Sequence, residues 1–208
     1  MIARLTLAVL LLAAPALAYS QPGREQLFIS PSGEPFRAPE GQPYPVAAWF
    51  AAADANHDGA LTRDEFIADA LAFHARLDAD KDGWLDGYEI GDYEKKVAPE
   101  ILGRPDRGSV GGAGKGASRD RGADGARARG AVTQPYGQGR SGAGLYGLIN
   151  EIQPVMGQDS DFNRRIDRKE VTAAARDRFA ILDTDKDGKL MLETLPRTPV
   201  QRALADQR

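Results

Sequence analysis

The sequence predicts an all-α fold of two pairs of acidic loops, each pair sharing one central helix, with a disordered Gly/Arg-rich linker between the pairs. Three observations carry this expectation. Twelve-residue acidic loops begin at Asp54 and Asp78, 24 residues apart, and further loops begin at Asp159 and Asp183 at the same spacing. An apolar stripe of helical period fills the interval in each half. The stretch 103–144 between the halves is low in complexity and nearly free of apolar side chains.

Met1 to Ala18 has the order of a secretory signal peptide. Arg4 gives a positive start, Leu5 to Ala14 is an apolar run, and Ala16-Leu17-Ala18 is a small-x-small cleavage site. The expected cut follows Ala18, which places the protein in the periplasm or the medium. That apolar run is too short to span ~30 Å of hydrocarbon, so a membrane-spanning role is not expected. Residues 19–45 are rich in Pro and Gly and read as an extended arm with the apolar island Leu27-Phe28-Ile29. Pro43 to Ala53 fits a short helix entering the first loop, with Val46, Trp49, Phe50 and Ala53 on one face.

The first loop offers Asp54, Asn56, Asp58, Ala60, Thr62 and Glu65 at positions 1, 3, 5, 7, 9 and 12. The second offers Asp78, Asp80, Asp82, Trp84, Asp86 and Glu89. Both fit D-x-[DN]-x-[DN]-G-x5-E without a mismatch. Ca²⁺ is a hard cation that takes six to eight oxygens. Short side-chain oxygens at positions 1, 3 and 5, a backbone carbonyl at 7 and a bidentate Glu at 12 supply them. Gly59 and Gly83 provide the sharp turn at position 6. These loops resemble those of the EF-hand family, which implies a helix–loop–helix around each ion.

Between the two loops, Phe66, Ile67, Ala70, Leu71, Phe73, His74 and Leu77 make a wide apolar stripe. One helix of ~16 residues therefore leaves the first loop and enters the second. Val171, Ala174, Ala175, Phe179 and Leu182 repeat the layout, which suggests an internal duplication whose halves dock. The third loop keeps Asp159, Asp161, Asn163, Arg165, Asp167 and Glu170, but Arg164 replaces the position-6 Gly. The fourth keeps Asp183, Asp185, Asp187 and Lys189, but Thr194 stands where the bidentate Glu belongs. The expectation is two tight calcium sites, one moderate and one weak or empty.

The whole chain carries a net charge of −3, yet Arg104 to Arg140 holds eight basic and three acidic residues. Acidic lobes joined by a basic tether are the result. The tether lacks the apolar content to offset its ordering entropy and is expected to be disordered. Its Arg and Gly content resembles nucleic-acid-binding tracts, but aromatic interleaving is limited to Tyr136, so nucleic acid is not an expected partner. There is no cysteine, which removes thiol catalysis and zinc–thiolate sites. No Ser/His/Asp set or phosphate loop is present, the acidic residues are taken up as ligands, and an enzyme is not expected. The implied divisions are 1–18, 19–45, 46–102, 103–144 and 145–208.

Beyond the loops, Phe28-Ile-Ser-Pro-Ser-Gly-Glu-Pro-Phe36, Pro45-Val-Ala-Ala-Trp-Phe50 and Phe179-Ala-Ile-Leu-Asp183 resemble exported EF-hand proteins of Gram-negative bacteria. The resemblance covers most of the chain after residue 18. It implies calcium binding, as a buffer, a sensor or a calcium-stabilised structural protein. The alternative is a calcium-dependent module that engages a protein or the envelope.

Overall fold

The structure, a computed structural model, describes residues 25–102 and 140–206. The expected signal peptide and most of the expected linker lie outside the described residues. Among the described residues, six strands in three two-stranded sheets accompany five α-helices, so the all-α expectation is corrected.

The first sheet is a hairpin. β1 (Glu25–Ile29) pairs with β2 (Pro35–Pro39), with Phe28 opposite Phe36. The turn closes through Ser30 N–H to the Glu34 carbonyl (2.8 Å) and Gly33 N–H to the Ser30 carbonyl (2.9 Å). Gly33 sits at φ +102°, where a Cβ is disfavoured, and that Cβ would also crowd the Tyr93 hydroxyl and Val155. Pro35 and Pro39 cannot donate ladder hydrogen bonds, which suits β2 to an outer position. The segment expected as an extended arm thus holds both strands of a small sheet.

α1 (Val46–Ala53) leads into the first loop, β3 (Ala60–Thr62) lies within that loop, and α2 (Arg63–Leu77) follows. α2 ends at Asp78, the first residue of the second loop, which contains β4 (Trp84–Leu85). α3 (Gly87–Asp92) then continues as a π-helical turn over Tyr93–Val97. In the second half, β5 (Ile166–Asp167) lies in the third loop, and α4 (Arg168–Leu182) runs from the third loop to the fourth. β6 (Lys189–Met191) lies in the fourth loop, and α5 (Pro199–Ala205) ends the described chain.

The sheets join the halves crosswise. β3 pairs antiparallel with β6, and β4 with β5. The first loop therefore meets the fourth, and the second meets the third. α2 and α4 pack against each other in the core. A run of ring contacts crosses the molecule: Phe28 to Trp49 (5.5 Å), Trp49 to Phe66 (6.1 Å) and Phe66 to Phe179 (5.6 Å). It links hairpin, α1, α2 and α4 through side chains that are all buried.

Polar bonds at the core edge tie the same parts together. The Tyr44 hydroxyl donates to the Leu27 carbonyl (2.8 Å) and lies 2.8 Å from Thr198 Oγ1, joining the hairpin to the cap of α5. Burial pushes this phenol up to about 12. Trp49 Nε1 donates to Asp69 Oδ2 (3.1 Å), and burial raises the Asp69 carboxyl despite that bond. Arg178 is 3% exposed; it pairs with Glu151 (2.6 Å) and donates to the Pro154 carbonyl (2.7 Å). A buried guanidinium needs such a full set of acceptors, since an unpaired buried charge is costly.

Candidate metal centre

Each loop begins where a helix or turn ends. Asp54, Asp78 and Asp183 are the C-caps of α1, α2 and α4, and Asp159 follows a 3₁₀ turn over Met156–Gln158. The position-1 carboxylate then turns back on its own loop. Its Oδ2 accepts the position-6 N–H: Gly59 to Asp54 (2.9 Å), Gly83 to Asp78 (3.0 Å), Arg164 to Asp159 (2.9 Å) and Gly188 to Asp183 (3.1 Å). The position-5 side chain accepts from the position-7 N–H of Ala60, Trp84, Arg165 and Lys189, at 2.6 to 2.9 Å. All four loops share this wiring.

They also share their backbone. Position 6 is left-handed in every loop: Gly59, Gly83 and Gly188 at φ +83°, +90° and +83°, and Arg164 at +65°. Position 4 is left-handed too, at His57, Lys81, Phe162 and Lys186. Nothing lies within 4 Å of a Cβ built on the three glycines, so only the dihedral disfavours a side chain there. That is why the third loop accepts Arg164: the cost is conformational, on the order of 1–2 kcal/mol, without a clash. Arg164→Gly is expected to stabilise the protein by up to about 1 kcal/mol, since glycine's own backbone entropy offsets part of the gain. A thermal melt should shift upward by a few degrees. A downward shift would show that Arg164 makes a contact worth more than the dihedral costs.

Positions 9 and 12 close three of the loops. Thr62, Asp86 and Asp167 cap α2, α3 and α4, and Glu65, Glu89 and Glu170 complete reciprocal capping boxes. One oxygen of each Glu accepts the position-9 N–H. The other reaches back to the start of the loop: Asn56 N–H to Glu65 (3.3 Å), Ala79 N–H to Glu89 (2.7 Å) and Ser160 N–H to Glu170 (2.9 Å). The Thr62 hydroxyl, first among these donors, holds the Glu65 carboxyl below the usual carboxylate range. The fourth loop has no such strap. No helix starts within the fourth loop after β6, Glu193 is exposed, and the Thr194 hydroxyl donates to the Met191 carbonyl (3.0 Å).

The carboxylates converge as a cation requires. One oxygen each from Asp78, Asp80 and Asp82 lie within 4.8 Å of one another, as do those of Asp159, Asp161 and Glu170, and of Asp183, Asp185 and Asp187. The first loop, with Asn56 at position 3, forms no such group of three carboxylates among the described residues. Two atoms test the fit to a metal. Asp78 Oδ1 and Asp183 Oδ1 are buried and have no hydrogen-bond partner among the described residues. An unpaired buried polar group costs ~1–3 kcal/mol, and more when charged. A divalent cation bound by these oxygens removes that cost, so the donor sets suit a hard divalent cation such as calcium.

A family model described as EF hand matches residues 46–68, which hold α1, the first loop and the start of α2. The match supports an EF-hand domain and, with the acidic groups, points to calcium binding. It does not extend to the other three loops. No curated protein matches the chain. Among the described residues no helix is long and apolar enough to cross a membrane.

The sequence pattern singled out positions 1, 3, 5, 7, 9 and 12 in three loops and 1, 3, 5 and 7 in the fourth, and carboxylates from these positions lie together in the second, third and fourth loops. It missed the left-handed position 4, for which His57, Lys81, Phe162 and Lys186 carry no Gly or Asn signal. It also missed the capping role of position 9. Thr62-Arg-Asp-Glu65 was a readable capping-box signature.

Proposed function

We propose that this chain is an exported calcium-binding protein in which bound ions lock the two halves together, in a structural rather than catalytic role. The observation that carries the reading is Asp78 Oδ1, at the first ligand position of the second loop, which is buried with no hydrogen-bond partner among the described residues. Glu65 and Glu89 would complete the calcium shells of the first two loops as bidentate ligands. The crosswise ladders support the locking role, because each ladder contains one loop from each half. The charged and apolar order of Met1 to Ala18 supports export to the periplasm or the medium.

Calorimetric titration of Glu65→Gln and Glu89→Gln tests the reading. Gln keeps a capping box intact, so each helix start survives while one anionic, bidentate ligand is lost. Each substitution is expected to remove one tightly bound calcium per chain. Unchanged stoichiometry in both variants would show that calcium is not held at these loops.

A further inference from the structure

The fourth loop departs from the other three at one end only. Its three carboxylates converge within 4.8 Å, as do those of the second and third loops. Asp183 is 8% exposed, and its Oδ1 is buried with no hydrogen-bond partner among the described residues. That oxygen marks a position where a cation is needed. Yet the strap that Glu65, Glu89 and Glu170 provide elsewhere is missing, and Thr194 is turned to the Met191 carbonyl. Position 9 is Met191, whose side chain offers no oxygen.

We propose that the fourth loop is a site for a small divalent ion that keeps part of its water shell, Mg²⁺ in chemistry, alongside calcium at the other loops. The inference rests on the loop reading above. Calcium takes six to eight oxygens from a flexible shell, and the bidentate Glu is what fills such a shell in a loop of this length. Magnesium is smaller, keeps several waters, and is held through few carboxylates in octahedral geometry. Asp183, Asp185 and Asp187, each binding through one oxygen, supply four oxygens with the Lys189 carbonyl, and Asp185, Asp187 and Thr194 are exposed. Such a donor set forfeits much of the calcium affinity but little of the magnesium affinity. In a mixture of the two ions the fourth loop holds magnesium, while the first two hold calcium.

The position-6 amides let each site report itself. Gly59, Gly83 and Gly188 N–H each donate to the position-1 carboxylate of their own loop. A cation on that carboxylate changes the amide proton shift. Proton–nitrogen correlation spectra of the full chain are recorded during magnesium and calcium titrations, singly and in competition. In a chelated sample, magnesium is expected to move Gly188. With about a tenfold magnesium excess over calcium, Gly59 and Gly83 are expected to keep their calcium positions and Gly188 its magnesium position. Asp183→Asn and Asp187→Asn, which keep the side-chain acceptors for Gly188 and Lys189 N–H, are expected to abolish the Gly188 response alone. A Gly188 amide that ignores magnesium overturns the proposal, and so does one that follows calcium at the same midpoint as Gly59 and Gly83. A response that survives both Asn substitutions overturns it as well. Failure of the calcium reading shows separately, at Gly59 and Gly83.

Discussion

Removing calcium is expected to lower the melting temperature by roughly 10–20 °C. Two loops occupied at a hundredfold excess over their dissociation constants contribute ~2.7 kcal/mol each by linkage. For a chain of this size each kcal/mol is worth ~2–4 °C. The structural grounds are specific. Asp78, Asp80 and Asp82 converge within 4.8 Å, and without an ion their charges repel. Asp78 Oδ1 is then buried without a hydrogen-bond partner among the described residues. The chain has no cysteine, so no disulfide limits the unfolded state. Sodium chloride screens repulsion between exposed charges but supplies no ligand, so raising salt should recover only part of the loss. Scanning calorimetry in calcium and in chelator checks this. Superimposable melts would show that the loops are folded without their ions and that calcium has no structural role.

What the residues revealed in advance was local. The acidic loops were legible because Asp, Asn, Gly and Glu recur in them at fixed intervals. The helical stripe from Phe66 to Leu77 was legible because its period is that of α2. Long-range features were not. β3 pairs with β6 and β4 with β5 because α2 packs on α4, and both stripes are simply apolar; nothing in them names a partner. The hairpin was hidden by its prolines. Pro35 and Pro39 argue against a strand, and only an outer strand accommodates them. The turn Ser30 to Glu34, with Gly33 in its left-handed bend, was the signal that could have revealed it. In the fourth loop no helix forms between β6 and α5, a stretch that contains Pro196.

Phe179→Ala is expected to destabilise the protein by ~3–5 kcal/mol, the usual cost of removing a buried Phe ring. The ring is 1% exposed on α4 and meets Phe66 of α2 edge to face, at 5.6 Å and 79°. Such a pair adds ~0.5–1.5 kcal/mol beyond area burial. Arg63 lies over the same ring at 5.8 Å. The loss should extend to calcium binding at the first loop, although Phe179 offers no ligand and belongs to the other half. α4 ends at Asp183, and the fourth loop that begins there supplies β6, the partner of β3. Loosening α4 therefore loosens the ladder that holds Ala60 to Thr62. Ile181→Ala is the control on the same helix: at 58% exposed it should change stability by no more than ~0.5 kcal/mol. Denaturant melts and calcium titration of both variants provide the comparison. If Phe179→Ala lowers stability while the first loop binds calcium unchanged, the halves hold their ions independently, and the crosswise ladders do not couple them.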